Sequence, residues 1–114
     1  LSAAYPLYQE SLLIYRTLGD RRMLAYLLEN IGVLLALQDD AARALRLVGA
    51  AATLRVVLGT PLSTAEQSQL DRDLEPVRQL LGADALAAWQ AGQTMTLEQA
   101  IGEALAVNPF TLST

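Results

Sequence analysis

Apolar residues recur at spacings of three and four along most of the chain, which is the period of amphipathic helices rather than of strands. The apolar stripe is broadest over residues 21–58, where one stretch runs from about Arg21 to Gln38 and a second from about Asp40 to Leu58. The short acidic turn between them leaves room only for an antiparallel reversal. The pattern therefore predicts a central hairpin of two α-helices.

The second helix of the chain is apolar on most of its faces, which is typical of a helix packed between neighbours. Gly32 lies in its middle, where it costs about 1 kcal/mol relative to Ala. A compensating close approach by another helix would explain this glycine. We therefore expect the helix that follows in sequence to cross at Gly32.

The segments before and after this hairpin contain residues that typically end or begin helices. A first helix is predicted over residues 1–18, ending at Gly19, and a fourth helix begins at a capping box opened by Ser63. Pro76 lies within this fourth stripe, so the helix is expected to kink or to split near Glu75.

Two shorter helices are predicted after residue 82. Asp84 is expected to cap a fifth helix that ends at Gly92 and packs onto the core through Trp89. Thr96 opens another capping box, and the sixth helix is expected to end at Asn108. Residues 108–114 are predicted to be a tail.

Composition agrees with an all-α domain. The chain has 114 residues, of which 53% are apolar, and it is rich in Ala and Leu, which favour helices. No apolar run is long enough to span a bilayer, so no membrane partner is expected. The chain has no cysteine, which excludes disulfides and thiolate metal sites.

A small-large-small pattern occurs twice in the first half of the chain, one 40-residue step apart. Its members are Ala4, Tyr8 and Ser11, then Ala44, Val48 and Ala51. Together with the pair Ile31-Gly32, flanked by Leu28 and Leu35, this spacing resembles tetratricopeptide repeats, with a repeat longer than usual. The resemblance implies antiparallel helical hairpins in a right-handed superhelix. Residues 1–58 would form one and a half repeats, and residues 59–107 a helical C-terminal cap.

The later segments resemble the C-terminal end of the repeat region in large bacterial regulators that combine an ATPase with repeats and a LuxR-type, activator-type or cyclase output domain. The segments that carry this resemblance, within roughly residues 40–106, are 50–51, 54–55, 58–62, 81–82, 87–92 and 96–100. It implies a cytoplasmic parent protein with a nucleotide-binding domain upstream. The partner would then be a protein, a peptide or another domain of the same parent.

The charge distribution disfavours nucleic acid as a partner. Residues 1–58 carry six arginines and five acidic residues, whereas residues 59–114 carry two arginines and seven acidic residues. Phosphate binding requires clustered cations. A DNA-binding helix-turn-helix in residues 63–106 stays an alternative, although its net charge is unfavourable.

Catalysis has few candidate residues. The chain has no His, Cys or Lys, which are the usual bases, thiol nucleophiles and Schiff-base formers. Asp71 and Asp73 point about 200° apart on a helix, so a solvated face explains them better than a metal site. We expect a non-catalytic protein without cofactor or metal, acting as an interaction or regulatory scaffold.

The resemblance to tetratricopeptide repeats also implies a set of ligand contacts. In those scaffolds the first helix of each repeat lines the concave groove. Transferred to this chain, this rule points five residues toward a partner: Arg22, Tyr26, Glu29, Asn30 and Val33.

Helix one has no antiparallel mate within the sequence. Its apolar side, made of Leu7, Leu12, Leu13 and Ile14, is therefore expected to stay exposed. Exposed patches of this kind favour association. The sequence thus also predicts a homodimer through helix one, which leaves a simple homodimerisation module as a further alternative.

Overall fold

The computed structural model describes residues 3–107, and every regular element within that range is a helix. The six helices are α1 (Ala4–Leu18), α2 (Arg21–Leu37), α3 (Ala41–Leu58), α4 (Thr64–Leu81), α5 (Asp84–Thr94) and α6 (Leu97–Leu105). The predicted all-α class is confirmed. The predicted tail, residues 108–114, lies outside the described residues.

Most helix ends have the local chemistry that the sequence indicates. Gly19 and Gly59 follow α1 and α3 in the left-handed conformation, with φ of 72° and 67°. The Asp20 side chain accepts a hydrogen bond from the Met23 amide and so caps α2. Complete capping boxes open α4 at Ser63 and α6 at Thr96.

Several of the expected helix boundaries are wrong. Helix α4 continues through Pro76 without splitting near Glu75, because Leu74 and Val77 on either side of the proline are both buried in a cluster shared with α3. Asp84 is the first residue of helix α5 rather than its cap, and no side chain caps this helix. Helix α5 does not stop at Gly92 but runs on to Thr94, and α6 ends at Leu105, before Asn108. Gly92 instead serves helix packing.

The α2–α3 hairpin forms the centre of the domain. A Cβ atom built at Gly32 would lie 2.5 Å from Val48 Cγ2 and 3.2 Å from the Ala44 carbonyl oxygen, both on α3. Because these distances leave no room for a side chain, Gly32 permits the close crossing. The predicted role of Gly32 is confirmed.

A second close crossing joins α3 to α5. A Cβ at Gly92 would lie 2.0 Å from the Arg46 carbonyl oxygen, and one at Gly49 would lie 2.6 Å from the Trp89 carbonyl oxygen. The two backbones therefore touch through a pair of glycines, one on each helix. This contact holds Trp89 against α3, half-buried beside Leu45.

Helix α6 returns to the first helix of the chain. The Gln9 side-chain amide donates to the carbonyl oxygens of Ala104 at 3.2 Å and of Val107 at 2.8 Å, which satisfies carbonyls at the end of α6. Arg16 and Glu98 form an ion pair at the other end of the contact. Leu12 is completely buried in the cluster that α1 shares with α6. The expected exposure of Leu12 is therefore wrong, because Leu12 is buried in a cluster to which α1, α2, α3 and α6 all contribute.

Candidate functional site

The two halves of α4 differ in how they meet the rest of the domain. Residues 64–69 are all exposed, whereas Leu74 and Val77 in the second half are buried against α3. The C-terminal end of α3 is also open, since Val56 is 81% exposed. The two helices therefore splay apart around the loop that joins them.

The opening forms a cavity of about 690 Å³, which we call the wedge cavity. Its volume lies within the range of about 300–1,000 Å³ that is usual for ligand sites. Its walls come from α3, the α3–α4 loop, the first half of α4 and Trp89 on α5. The apolar side chains that line it are Val48, Ala52, Val56, Pro61, Leu62, Leu70 and Trp89.

An ion pair between α2 and α3 closes one side of the wedge cavity. Arg55 donates to both carboxylate oxygens of Glu29, from Nε at 2.5 Å and from Nη2 at 2.8 Å, and from Nη1 to the Thr60 carbonyl oxygen at 3.0 Å. The hydrogen bond to Glu29 raises the pKa of the Arg55 guanidinium despite its burial. Since the two side chains are nearly buried and neutralise each other, this wall of the cavity carries no net charge.

A shallower depression of about 200 Å³, the α2–α4 groove, adjoins the wedge cavity. It shares Glu29, Leu62 and Leu70 with that cavity, so the two depressions lie side by side. Four of the five residues predicted as partner contacts line it: Tyr26, Glu29, Asn30 and Val33. Helix α4 supplies the opposite wall.

The predicted contact residues differ in what they offer. Tyr26 is 49% exposed, and Val33 is partly exposed at the groove. Glu29 is only 7% exposed, and both of its carboxylate oxygens are bonded to Arg55, so it is a wall of the site rather than a free contact. Arg22 is exposed but is absent from the groove lining. Sequence periodicity could not anticipate the Glu29 ion pair, because it depends on where α3 crosses.

The α4 wall of the groove is acidic. Glu66 and Asp73 both line it, and hydrogen bonds from Ser63, first of all from its backbone amide, lower the pKa of the Glu66 carboxyl. Asp73 accepts a hydrogen bond from Gln69 at 2.9 Å. Arg22 lies close enough to stabilise ionised Glu66. The groove therefore presents carboxylates that face solvent, which suits a basic ligand better than a phosphate backbone.

The outer face of α1 is a separate apolar surface. Leu7, Leu13, Ile14 and Leu18 are exposed by 66%, 48%, 51% and 69%, respectively. We call these four residues the α1 patch. The exposure expected of Leu7, Leu13 and Ile14 is therefore observed, whereas Leu12 lies on the buried side.

Other kinds of site find little support in the described residues. Within residues 3–107 no three potential ligand side chains are grouped so as to hold a metal ion. Asp71 and Asp73 are each bonded to a glutamine one turn earlier, Gln67 and Gln69. No helix in this range is long and apolar enough to cross a membrane.

The wedge cavity is the feature that sequence reasoning missed. The sequence predicts a packing role for Trp89 and does not place Leu62 or Leu70 at a cavity. The loop between α3 and α4 (residues 59–63) is of ordinary length, and its proline, Pro61, does not reveal the splay. Comparison with known proteins supplies no analogue, since no family model, curated protein or solved structure matches this chain.

Proposed function

We propose that this chain is a non-catalytic protein-interaction module that receives a peptide segment of a protein partner in the α2–α4 groove. The observation that carries the proposal is the convergence of Tyr26, Asn30 and Val33 on one groove wall opposite the carboxylates of α4. Side chains one helical turn apart along α2 offer evenly spaced contacts, which suits a linear ligand. An aromatic, an amide and a branched apolar residue also give the mixed contacts typical of interfaces.

The same proposal extends to the architecture and the parent protein. The hairpin of α2 and α3, crossing at Gly32, is compatible with a tetratricopeptide-like unit of a right-handed superhelix. The segmental resemblance to bacterial ATPase-and-repeat regulators favours a signalling or transcription-regulatory parent in the cytoplasm. The chain would then carry recognition, with any nucleotide-dependent activity located elsewhere in the parent.

Peptide selection tests the groove directly. Peptides enriched from a random display library should shift the amide NMR signals of α2 and α4 around Tyr26 and Val33. Tyr26→Ala and Val33→Ala should each weaken binding by about tenfold, the effect of one interface hot spot. Leu80→Ala, at an exposed position of α4 outside the groove, is the matched control. Failure to enrich any peptide would refute the proposal.

A second candidate function is self-association, which the α1 patch favours. Four exposed large apolar residues on one helix are the kind of surface that a symmetric dimer buries. Sedimentation of the wild-type chain should show a dimer at high concentration, and combined Leu7→Glu and Ile14→Glu changes should yield a monomer. Leu80→Glu and Leu86→Glu should leave the dimer intact. A wild-type monomer at all concentrations would exclude this function.

A further inference from the structure

We propose that the wedge cavity is the anchor site of the peptide partner, receiving one bulky uncharged side chain while a basic residue of the same peptide meets the carboxylates of Glu66 and Asp73. This inference rests on the proposed peptide-binding function. It adds the chemistry of the ligand and the place where its largest side chain is buried.

The cavity itself indicates an apolar anchor. Seven of its thirteen lining residues have apolar side chains, Trp89 among them, the α4 residues Thr64, Gln67 and Ser68 are uncharged, and Val56 on its wall is 81% exposed. A ligand that covers an aliphatic side chain with that exposure stabilises the complex, because apolar surface is removed from contact with water. In the first half of α4, residues 64–69 are all exposed and only Leu70 packs, partly buried, against the cluster shared with α3, so this end of α4 is not drawn onto α3.

The ion pair indicates that the anchor is uncharged. Glu29 and Arg55 are the charged side chains that line the cavity, and their bidentate pairing leaves neither carboxylate oxygen of Glu29 unbonded. A charged side chain entering the cavity would lose its hydration without gaining an opposite charge. Leucine, methionine, phenylalanine or tryptophan would enter without that cost.

Charge complementarity identifies the second feature of the ligand. Leu62 and Leu70 line both the cavity and the adjoining α2–α4 groove, whose α4 wall carries Glu66 and Asp73. A lysine or arginine next to the anchor would reach these carboxylates while staying near solvent, where such residues are best hydrated. We therefore expect a peptide that pairs an anchor with a base.

The chain offers two matched pairs of variants for the test. Val56→Glu places a charge on the cavity wall, whereas Val57→Glu places the same charge on the next residue, which is 70% exposed and does not line the cavity. Asp73→Asn removes a groove carboxylate, whereas Asp71→Asn removes one outside it. Because both valines are exposed, both glutamate variants should fold, as circular dichroism will verify.

The experiment selects peptides from a random display library on the intact chain and measures affinities of Trp-free enriched peptides by calorimetry. Enriched sequences should combine a bulky apolar residue with a nearby base and should change the fluorescence of Trp89, the single tryptophan. Val56→Glu should weaken binding about tenfold and Val57→Glu should not. Asp73→Asn, unlike Asp71→Asn, should reduce affinity about threefold and lessen its salt dependence.

The outcomes separate this inference from the proposed function. Binding that Tyr26→Ala abolishes but Val56→Glu leaves unchanged would overturn the anchor site and retain the groove. Enrichment of acidic or wholly polar peptides would likewise overturn the anchor and its basic neighbour. If no peptide is enriched, both the inference and the proposed function fail.

Discussion

The crossing of α3 and α5 provides the sharpest test of the packing, through the substitution Gly92→Ala. The added Cβ would lie 2.0 Å from the Arg46 carbonyl oxygen and 2.7 Å from its carbonyl carbon. Ordinary van der Waals contact begins near 3.4 Å, so the two helices must separate by about 1.4 Å or rotate. The obstacle is backbone, which cannot move aside as a side chain can.

The expected cost follows from two opposing effects. Overpacking a tight contact costs about 1–3 kcal/mol, and a backbone clash places Gly92→Ala at the upper end of that range. Replacing glycine by alanine within a helix stabilises the helix by up to about 1 kcal/mol. We therefore expect the free energy of unfolding to fall by about 2 kcal/mol.

Gly102→Ala is the matched control. Gly102 lies inside α6, and a Cβ there would meet no atom within 4 Å. Only the gain in helix propensity applies, so this variant should be more stable by about 0.5–1 kcal/mol. Urea unfolding followed by circular dichroism measures both changes. A Gly92→Ala protein as stable as the wild type would refute the close crossing of α3 and α5.

Three further predictions concern the core. Leu12→Ala should cost about 2–5 kcal/mol, whereas Leu13→Ala on the same helix should change stability by less than about 0.5 kcal/mol, as thermal unfolding will show. Arg55→Met should lower the free energy of unfolding by about 3–5 kcal/mol, because it leaves Glu29 buried without a cation. Adding Glu29→Leu to that variant should restore most of the lost stability, as denaturant titrations will show. Burial raises the pKa of the Tyr5 phenol in the folded chain above its value in the unfolded chain. The protonated phenol therefore contributes stability that is fully present below about pH 10, the unfolded-state pKa, and is lost as the pH rises above that value. In thermal melts, Tyr5→Phe should remove this loss of stability at alkaline pH. The buried hydroxyl has no partner among the described residues, so at neutral pH the variant should be as stable as the wild type or about 1 kcal/mol more stable.

Local features of the domain could be read from the sequence because short-range physics decides them. The left-handed glycine after α1, the capping box at Ser63 and the stripe of α2 each depend on residues within one or two turns. The role of Gly32 was also predictable, because the helix that crosses it follows directly in sequence and offers Ala44 and Val48 at matching positions.

Errors appeared where a distant element changed the environment of a residue. Gly92 looked like a helix stop, but α3 approaches its backbone and the helix continues past it. Leu12 looked exposed, but it is completely buried in a cluster shared with α2, α3 and α6, and Gln9 ties α1 to the end of α6. Pro76 looked like a break, but burial of its neighbours against α3 outweighs the lost backbone hydrogen bond.

For the site, the helices and most of their caps follow from the sequence, and the resemblance to tetratricopeptide repeats singled out the residues of α2 from Tyr26 to Val33. The packing of the helices places these residues opposite α4, pairs Glu29 with Arg55, and leaves a cavity between α3 and α4 beside Trp89. Helical periodicity gives the direction of each side chain about its own axis. It does not give the angle at which two helices meet, and that angle determines whether an apolar face is filled or left open.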